Sequence, residues 1–531
     1  MGNPRGYWML VLHAHLPFVR HPEYKDALEE RWLYEAITET YIPLLDAYER
    51  LLDEGLDFRI TMSVTPPLAN MLADPLLQDR YLHHLELLME LAEKEVIRTM
   101  YHPELNKAAK SYQAKFERAY GTFVNKYHKN LLLGFKRFQD LGKLEIITCG
   151  ATHGFLPLMD MYPNAVRGQI QTAVKDYERH FGRPPRGMWN GECGYYPGLE
   201  NLLAEGDIKY FFVDTHGILH ADKRPKYGVF APMYTNNRIA YFARDIETSA
   251  SVWSADEGYP GDPNYREFYR DIGFDLDYEY IKPYIHESGL RIATGIKYHR
   301  VTSKDTPMEH KHFYDPEVAY SRSVDHGNNF VYNRERQIEH LMEFMDRPPV
   351  IVSMYDAELF GHWWYEGPDF IYNTLKAMFH SQVIDPITPP EYLQKFPENQ
   401  TATPPMSSWG YMGYSEFWLN ESNDWIYRHL HKSDEKMIEL AFKNKGTNDP
   451  VLIRALNQAA RELLLAQSSD WAFIMKTNTM VEYAQKRTKD HIGRFNKLYK
   501  MIADKKIDKK WLTDTEYRDN IFPEIDFRVY A

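Results

Sequence analysis

The sequence predicts an α/β protein: a barrel of parallel strands interleaved with helices, followed by a purely helical C-terminal region. Two observations carry this. A short apolar, β-rich run recurs seven times, each ending in a cluster of polar and aromatic residues and followed by a helix-like segment. Near residue 385 that pattern stops, and amphipathic helical segments take over. Strands alternating with helices imply a parallel sheet. Strands buried on both faces read as near-continuous apolar runs, as these do. An open doubly wound sheet would gather its functional groups mainly at one crevice. Seven decorated strand ends instead fit a β/α barrel, whose loops collect on one face.

The first run, YWMLVLHAHLPF, ends at His13 and His15, and the second, FRITMSVTPPL, at Thr65-Pro66-Pro67. KLEIITCGATHGFLPL ends at Thr152-His153-Gly154, RGMWNGECGYYPG holds Glu192, and IKYFFVDTHGI holds Asp214 and His216. The sixth, IAYFARDIETSASVWSADEGYPGD, holds Arg244, Trp253 and Asp256, and the seventh, PPVIVSMYDAELFGHWW, holds Asp356, Glu358 and His362. Between the runs, segments such as LEERWLYEAITETYIPLLDAYERLLDEG carry apolar residues at helical spacing and stop at a glycine. PITPPEYLQKFPENQTATPPMSSWG reads as a loop or linker. Beyond it, Asp449-Pro450 suits a helix N-terminus, and Leu452, Leu456, Leu463 and Leu464 give that helix an apolar face.

Composition narrows the function. The chain has 531 residues, 44 % hydrophobic, enough for two or three domains with a large core. A formal net charge of −12 without a Lys/Arg block argues against a nucleic-acid partner. Two cysteines, Cys149 and Cys193, make neither a disulfide scaffold nor a zinc cluster. The N-terminal stretch lacks the apolar core and cleavage site of a signal peptide, and no run of about 18 apolar residues suggests a membrane span. A cytoplasmic protein is expected. The 15 % aromatic content, with 39 Tyr and 11 Trp, allows a groove that stacks on sugar rings.

Chemistry concentrates in three stretches. His13 and His15 project to one face of a strand. There they could hold a metal with an added carboxylate, contact a polar substrate, or be satisfied internally. Glu192 lies between Gly191 and Cys193, where small neighbours allow a ligand close approach; nothing nearby supplies a base for Cys193 as a nucleophile. Asp356 and Glu358 alternate by two, and the residues alone do not choose between them. Trp363 and Trp364 diverge on a helix, so at most one faces a ligand. Carboxylates on different strand ends, aromatics around them and no Walker or GxGxxG motif fit glycoside chemistry.

The motifs HAHLP, GKLEIITCGATHG, WNGECGYYPG, YDAELFGHWW and SWG…FWLNE, in this order, resemble glycoside hydrolase family 57. Within it they are similar to 1,4-α-glucan branching enzymes and to intracellular amylase-like proteins of thermophilic bacteria. The likeness runs from His13 to the closing NIFPEIDFRVY. It implies an incomplete (β/α)7 barrel over residues 1–398 with small inserted helical segments, and an α-helical C-terminal domain over 399–531 that completes the substrate groove. It implies a retaining mechanism with Glu192 as nucleophile and Asp356 as general acid/base. It implies substrate contacts from His13, His15, His153, Arg244, Trp253, Trp409, Trp418 and Asp470, with Trp32, Tyr234 and His362 as further candidates.

The implied activity is branching of α-1,4-glucan with substantial α-1,4 hydrolysis, without metal or cofactor, by a monomer or small homo-oligomer. A mainly hydrolytic α-amylase or a 4-α-glucanotransferase is the alternative; a metal-dependent polysaccharide deacetylase or a non-catalytic glycan binder is more remote. One departure bears on the outcome. Branching members carry an extended loop before the strand leading to ARD, with a tyrosine over the active site. Here KYGVFAPMYTNNRIAYFARD is short, with Tyr234 the nearest candidate. A shorter shield over the covalent intermediate should raise hydrolysis relative to transfer.

Overall fold

The computed structural model describes residues 4–254 and 257–531; Asp256 lies outside the described residues. Among the described residues nine strands form one sheet: β1 (Gly6–Ala14), β2 (Ile60–Val64), β3 (Leu144–Cys149), β4 (Gly187–Trp189), β5 (Tyr210–Val213), β6 (Met233–Tyr234), β7 (Ala240–Ala243), β8 (Val350–Asp356) and β9 (Ile384–Pro386). Their order is β6-β7-β5-β4-β3-β2-β1-β8, with β9 beside the start of β1. All pairings are parallel except β6–β7. The seven apolar runs are β1 to β5, β7 and β8, an incomplete barrel. Its edge strands β7 and β8 do not pair along their length; the Asp245 main-chain N–H reaches the Val352 carbonyl at 2.9 Å across the opening.

All nine residues of β1 are buried, which is why its sequence is a continuous apolar run. Alternation sorts them. Tyr7, Met9 and Val11 pack inside the barrel with Ile147, Cys149, Trp189, Phe212, Phe242, Val352 and Met354. Trp8, Leu10 and Leu12 face outward into the layer of surrounding helices. This parity decides which side chains crown the barrel. Continuing the inward rows by two residues gives His13 on β1, Asp214 after β5, Arg244 after β7 and Asp356 on β8. His13 and Asp356 are also register partners on adjacent strands.

The C-terminal region is helical, with helices at Tyr427–Asn444, Pro450–Ala466, Ser469–Thr477, Val481–Ala503 and Lys509–Arg518. As expected, Asp449 caps the second of these, accepting from the Val451 and Leu452 amides at 2.9 and 3.3 Å. This region reaches the barrel mouth through several contacts, among them the pairing of residues 407–409 with the segment after β4 and the bridge from Ser468 to Gly154.

The expectation for Tyr234 is corrected. β6 runs antiparallel to β7 and places Tyr234 opposite Ala240, the first residue of β7. It therefore sits at the N-terminal mouth of the barrel, where its hydroxyl donates to the Pro397 carbonyl at 3.2 Å, and not over the crown. The β6–β7 connection, residues 235–239, is a short hairpin with no reach to the other end.

Gly187 opens β4 against the Tyr210 ring; a Cβ there would lie 2.2 Å from it. Gly187→Ala should destabilise the protein by about 1–3 kcal/mol through overpacking, read as a lower denaturation midpoint. An unchanged midpoint would contradict the tight β4–β5 contact.

Candidate active site

Glu192 breaks the parity that places the other crown residues. The chain leaves β4 and turns sharply, with Glu192 at φ 59° and Cys193 at φ 51°. Two successive non-glycine residues in the left-handed region are strained, and such strain concentrates at functional sites. Gly191 is required here, since a Cβ would meet the Gly154 carbonyl oxygen at 2.8 Å. His153, on the neighbouring turn, is also left-handed, at φ 58°.

Trp409 fixes the Glu192 carboxyl. Its main-chain N–H donates to the Glu192 carbonyl at 3.0 Å, and its indole N–H to Glu192 Oε2 at 2.6 Å. Among the described residues the Asp356 carboxyl has no side-chain hydrogen-bond partner, which leaves it free to face a ligand. Beside it, the Glu358 carboxyl accepts from the Tyr41 hydroxyl and, at 3.1 Å, from the His15 main-chain N–H. Glu358 thereby holds the β1 strand end in place.

The histidines form a slab. His15 and His153 stack at 3.9 Å, and His13 stacks on Trp189 at 4.6 Å. His13 pairs through Nδ1 with Ser63 Oγ at 3.2 Å and through Nε2 with His153 Nε2 at 2.9 Å. His153 Nδ1 meets Ser469 Oγ at 2.8 Å and lies 3.8 Å from Glu192 Oε1. His15 pairs with Thr65 Oγ1 at 2.9 Å and with both Asp470 oxygens at 3.0 and 3.1 Å. All four ring nitrogens of His13 and His15 thus have protein partners. The arrangement is not the open pair of nitrogens that a deacetylase metal would use, although His15, His153 and Asp470 do bring ligand-type atoms within 4.8 Å of one another. Arg244 makes a two-pronged ion pair with Asp214 at 2.9 and 2.7 Å, its guanidinium 5.7 Å from the Trp409 ring centroid.

Burial sets the electrostatics. It lifts Glu192 to about 8, against the Trp409 donor and with help from the Asp356 and Asp470 charges. It lifts Asp356 to about 6, against the charges of His15 and Arg244. The Asp356 charge is one of the causes that keep Glu192 high. In the free cleft these values would ionise Asp356 first. The donor geometry favours the opposite arrangement in a complex, because only Glu192 has a dedicated N–H for its anion. Burial also lowers His13 and His153 well below the ordinary imidazole value, keeping both neutral. Burial alone would raise Asp470, but the charge and hydrogen bond of His15 outweigh it and hold the carboxyl at about 2.

The remaining expected residues are placed less uniformly. Trp253 ends the helix Ile246–Trp253 after β7 and is 43 % exposed. Trp32 is partly buried against Tyr483, edge to face at 5.9 Å. His362 pairs with Glu39 at 2.7 Å and not with the central carboxyls. Trp418 requires a correction: it is 1 % exposed, stacked on Phe155 at 4.2 Å, and presents no free face to a sugar. Its ring instead backs Gly410, where a Cβ would meet it at 2.6 Å, and so supports the turn that carries Trp409. Sequence reasoning missed Ser469, Trp189 and Tyr41. Asp214 was visible in the inward row, and Ser469 sits in the SSDW motif itself.

Two partly buried carboxyls from separate strand ends, one anchored by an indole donor and one free, lie beside neutral imidazoles on a parallel barrel rim, as the chemistry of a glycan-active enzyme of hydrolase type requires. Residues 9–405 match glycosyl hydrolase family 57, and residues 429–530 match the C-terminal region of 1,4-alpha-glucan branching enzymes. The chain belongs to glycosyl hydrolase family 57. It is 33 % identical to a 1,4-alpha-glucan branching enzyme of Thermococcus kodakarensis, over 99 % of this chain and 79 % of that protein. The crystal structure of that enzyme superposes with TM-score 0.89, covering 99 % of this chain and 96 % of the other. The alpha-amylase AmyC of Thermotoga maritima superposes with TM-score 0.94 at 51 % identity, over 99 % of both chains. The family 57 branching enzyme of Pyrococcus horikoshii gives 0.88 at 33 %, over 99 % and 97 %.

A carboxyl whose folded pKa is raised favours the folded state while protonated, and that stability is lost as pH rises through the raised value. Glu192→Gln should therefore leave the melting midpoint unchanged at pH 4 and raise stability by about 1–3 kcal/mol at pH 9. Thermal denaturation at both pH values checks this; a gain independent of pH would contradict a buried, lifted carboxyl.

Proposed function

We propose that the chain is a 1,4-α-glucan branching enzyme working by double displacement. The observation that carries this reading is the asymmetry of the two carboxyls: Glu192 is pinned by Trp409, and Asp356 is unpartnered on the adjacent rim. Asp356, protonated, donates to the glycosidic oxygen while the Glu192 carboxylate attacks the anomeric carbon. The leaving chain departs with the proton of Asp356. Asp356, now a base, takes the proton of the incoming hydroxyl as that oxygen displaces Glu192. Two inversions retain the anomeric configuration. A glucan 6-hydroxyl as acceptor gives a branch; water gives hydrolysis.

In this reading His13, His15, His153 and Asp470 bind the sugar at the catalytic centre. The Arg244–Asp214 pair braces the nucleophile's side of the cleft, and Trp253 and Trp409 offer apolar ring surface. Residues 1–398 form the catalytic barrel, and 399–531 the helical domain that closes the groove through Trp409 and Asp470. The branching enzymes among the relatives support transfer. Hydrolysis is favoured as a strong side activity by the short segment before β7: its tyrosines, Tyr227 and Tyr234, donate to Asp346 and to the Pro397 carbonyl at the N-terminal mouth, and neither stands over the intermediate. A cytoplasmic location, a monomeric or small homo-oligomeric state, and amylose or a glycogen-like polymer as substrate complete the proposal.

Incubation with amylose, followed by counting α-1,6 linkages and new reducing ends, tests the proposal. New α-1,6 linkages are expected together with a smaller yield of reducing ends; reducing ends alone would make the protein an amylase. Glu192→Gln and Asp356→Asn should each lower activity by about 1,000-fold or more. Trp409→Phe deletes the donor to the Glu192 anion, a bond worth about 1.5–3 kcal/mol, and should cost about 10- to 100-fold in kcat/KM. Because losing the donor raises the Glu192 pKa, the acid limb of the pH–rate profile should move to higher pH. A uniform loss at every pH would assign Trp409 to packing only.

A further inference from the structure

Trp363 is the most exposed tryptophan among the described residues, with 56 % of its surface open. What distinguishes it is its mounting. The indole stacks on Phe268 with centroids 4.5 Å apart and planes 20° from parallel. The Lys297 ammonium sits 4.4 Å from the Phe268 centroid, and Tyr269 meets the same ring edge-on at 5.1 Å. His362 stands at right angles to both rings, 5.4 Å from Trp363 and 5.5 Å from Phe268. One face of the indole is fixed against protein and the other is offered to solvent. Its neighbour Trp364 is buried at 2 %, so the two tryptophans diverge as their adjacency requires.

Polar groups with spare capacity adjoin this platform. His362 Nδ1 donates to Glu39 at 2.7 Å, and the arginine and imidazole around Glu39 hold that carboxylate at about 2 against its burial. His362 Nε2 faces the Glu35 carboxyl at 3.9 Å, too far for a direct hydrogen bond. Both side chains are partly open, 21 % and 33 %. One hydroxyl between them could bond to both. Anions are disfavoured here by Glu35 and Glu39, while the nearby cations are engaged: Lys297 with the Phe268 carbonyl and Arg266 with the Gly295 carbonyl. A flat apolar ring beside unsaturated hydrogen-bonding groups, without a free cation, suits a neutral polyol.

The platform is continuous with the catalytic rim. The Trp363 main-chain N–H donates to the Glu358 carbonyl at 3.3 Å, two residues beyond Asp356. Glu35 lies one turn after Trp32 on the helix Glu30–Ala36.

We propose that Trp363, propped by Phe268 and flanked by His362 and Glu35, is an accessory subsite on which a glucosyl unit of an α-1,4-glucan stacks, outside the catalytic cleft and along the same rim. This rests on the glucan reading above. The test uses Glu192→Gln protein, so that binding is measured without turnover, by retardation in gels containing amylose. Adding Trp363→Ala should weaken binding about 5- to 10-fold, and Trp363→Tyr, which keeps a flat ring, should restore it to within about twofold. In the active enzyme, Trp363→Ala should raise KM for amylose about fivefold more than KM for maltoheptaose. Equal retardation of the Trp363→Ala and parent proteins would overturn the subsite while leaving the function intact. A change of assembly size on Trp363→Ala in gel filtration would also overturn it, by showing a second copy on the platform. Failure of the Glu192→Gln parent to bind amylose at all would instead sink the glucan reading, and the subsite with it.

Discussion

The site depends on the double tether between Trp409 and Glu192. Glu192 occupies a left-handed backbone position that an extended strand end does not supply, and a strained turn holds its side chain only if something over-determines it. Trp409 does so with a main-chain and an indole hydrogen bond to the same residue. Trp409 is in turn backed by Gly410, and Gly410 by the buried Trp418. The segment that supplies the clamp lies more than two hundred residues downstream of the carboxyl it holds. Neither the barrel strands nor the C-terminal region contains a complete centre alone.

The second constraint is charge. Four carboxyls, Glu192, Asp356, Glu358 and Asp470, gather at one barrel mouth, and burial would raise all four. Asp470 alone is drawn down, because His15 meets both of its oxygens. Its negative charge then helps to hold Glu192 up. Neutral His13 and His153 add hydrogen-bonding capacity without adding cations that would strip the proton the chemistry needs.

Much of this was legible in the sequence, and for a physical reason. Strands buried on both faces must be apolar throughout, so seven of the eight parallel strands stood out as runs, β9 being the exception; the shared face of His13, Asp214, Arg244 and Asp356 emerged only with the strand registers. Glu192 was legible as a chemical group but not as a geometry, since its turn departs from strand alternation. Tyr234 was misplaced because the direction of a two-residue strand leaves no mark on its residues. Trp418 was misplaced because which face of an indole stays open depends on a distant partner, here Phe155. Trp363 and Trp364 do differ in exposure, but they lie in a turn ahead of the helix Gly367–Phe379 and not on the helix expected, and only packing shows which of them is open.

The place of β1, next to the edge strand β8, has a consequence for how the chain matures. β1 pairs with β2 on one side, but its other flank waits for β8, with Tyr7 matched to Val350 and His13 to Asp356. About 340 residues separate these partners. At a synthesis rate of about 5–20 residues per second, that flank of β1 stays without its partner strand for roughly 20–70 s. An unpaired, wholly apolar strand is a template for association with other chains. The pairing that brings His13 beside Asp356 is thus also the one that retires this hazard, and the centre is completed only afterwards, when Trp409 and Asp470 have been made.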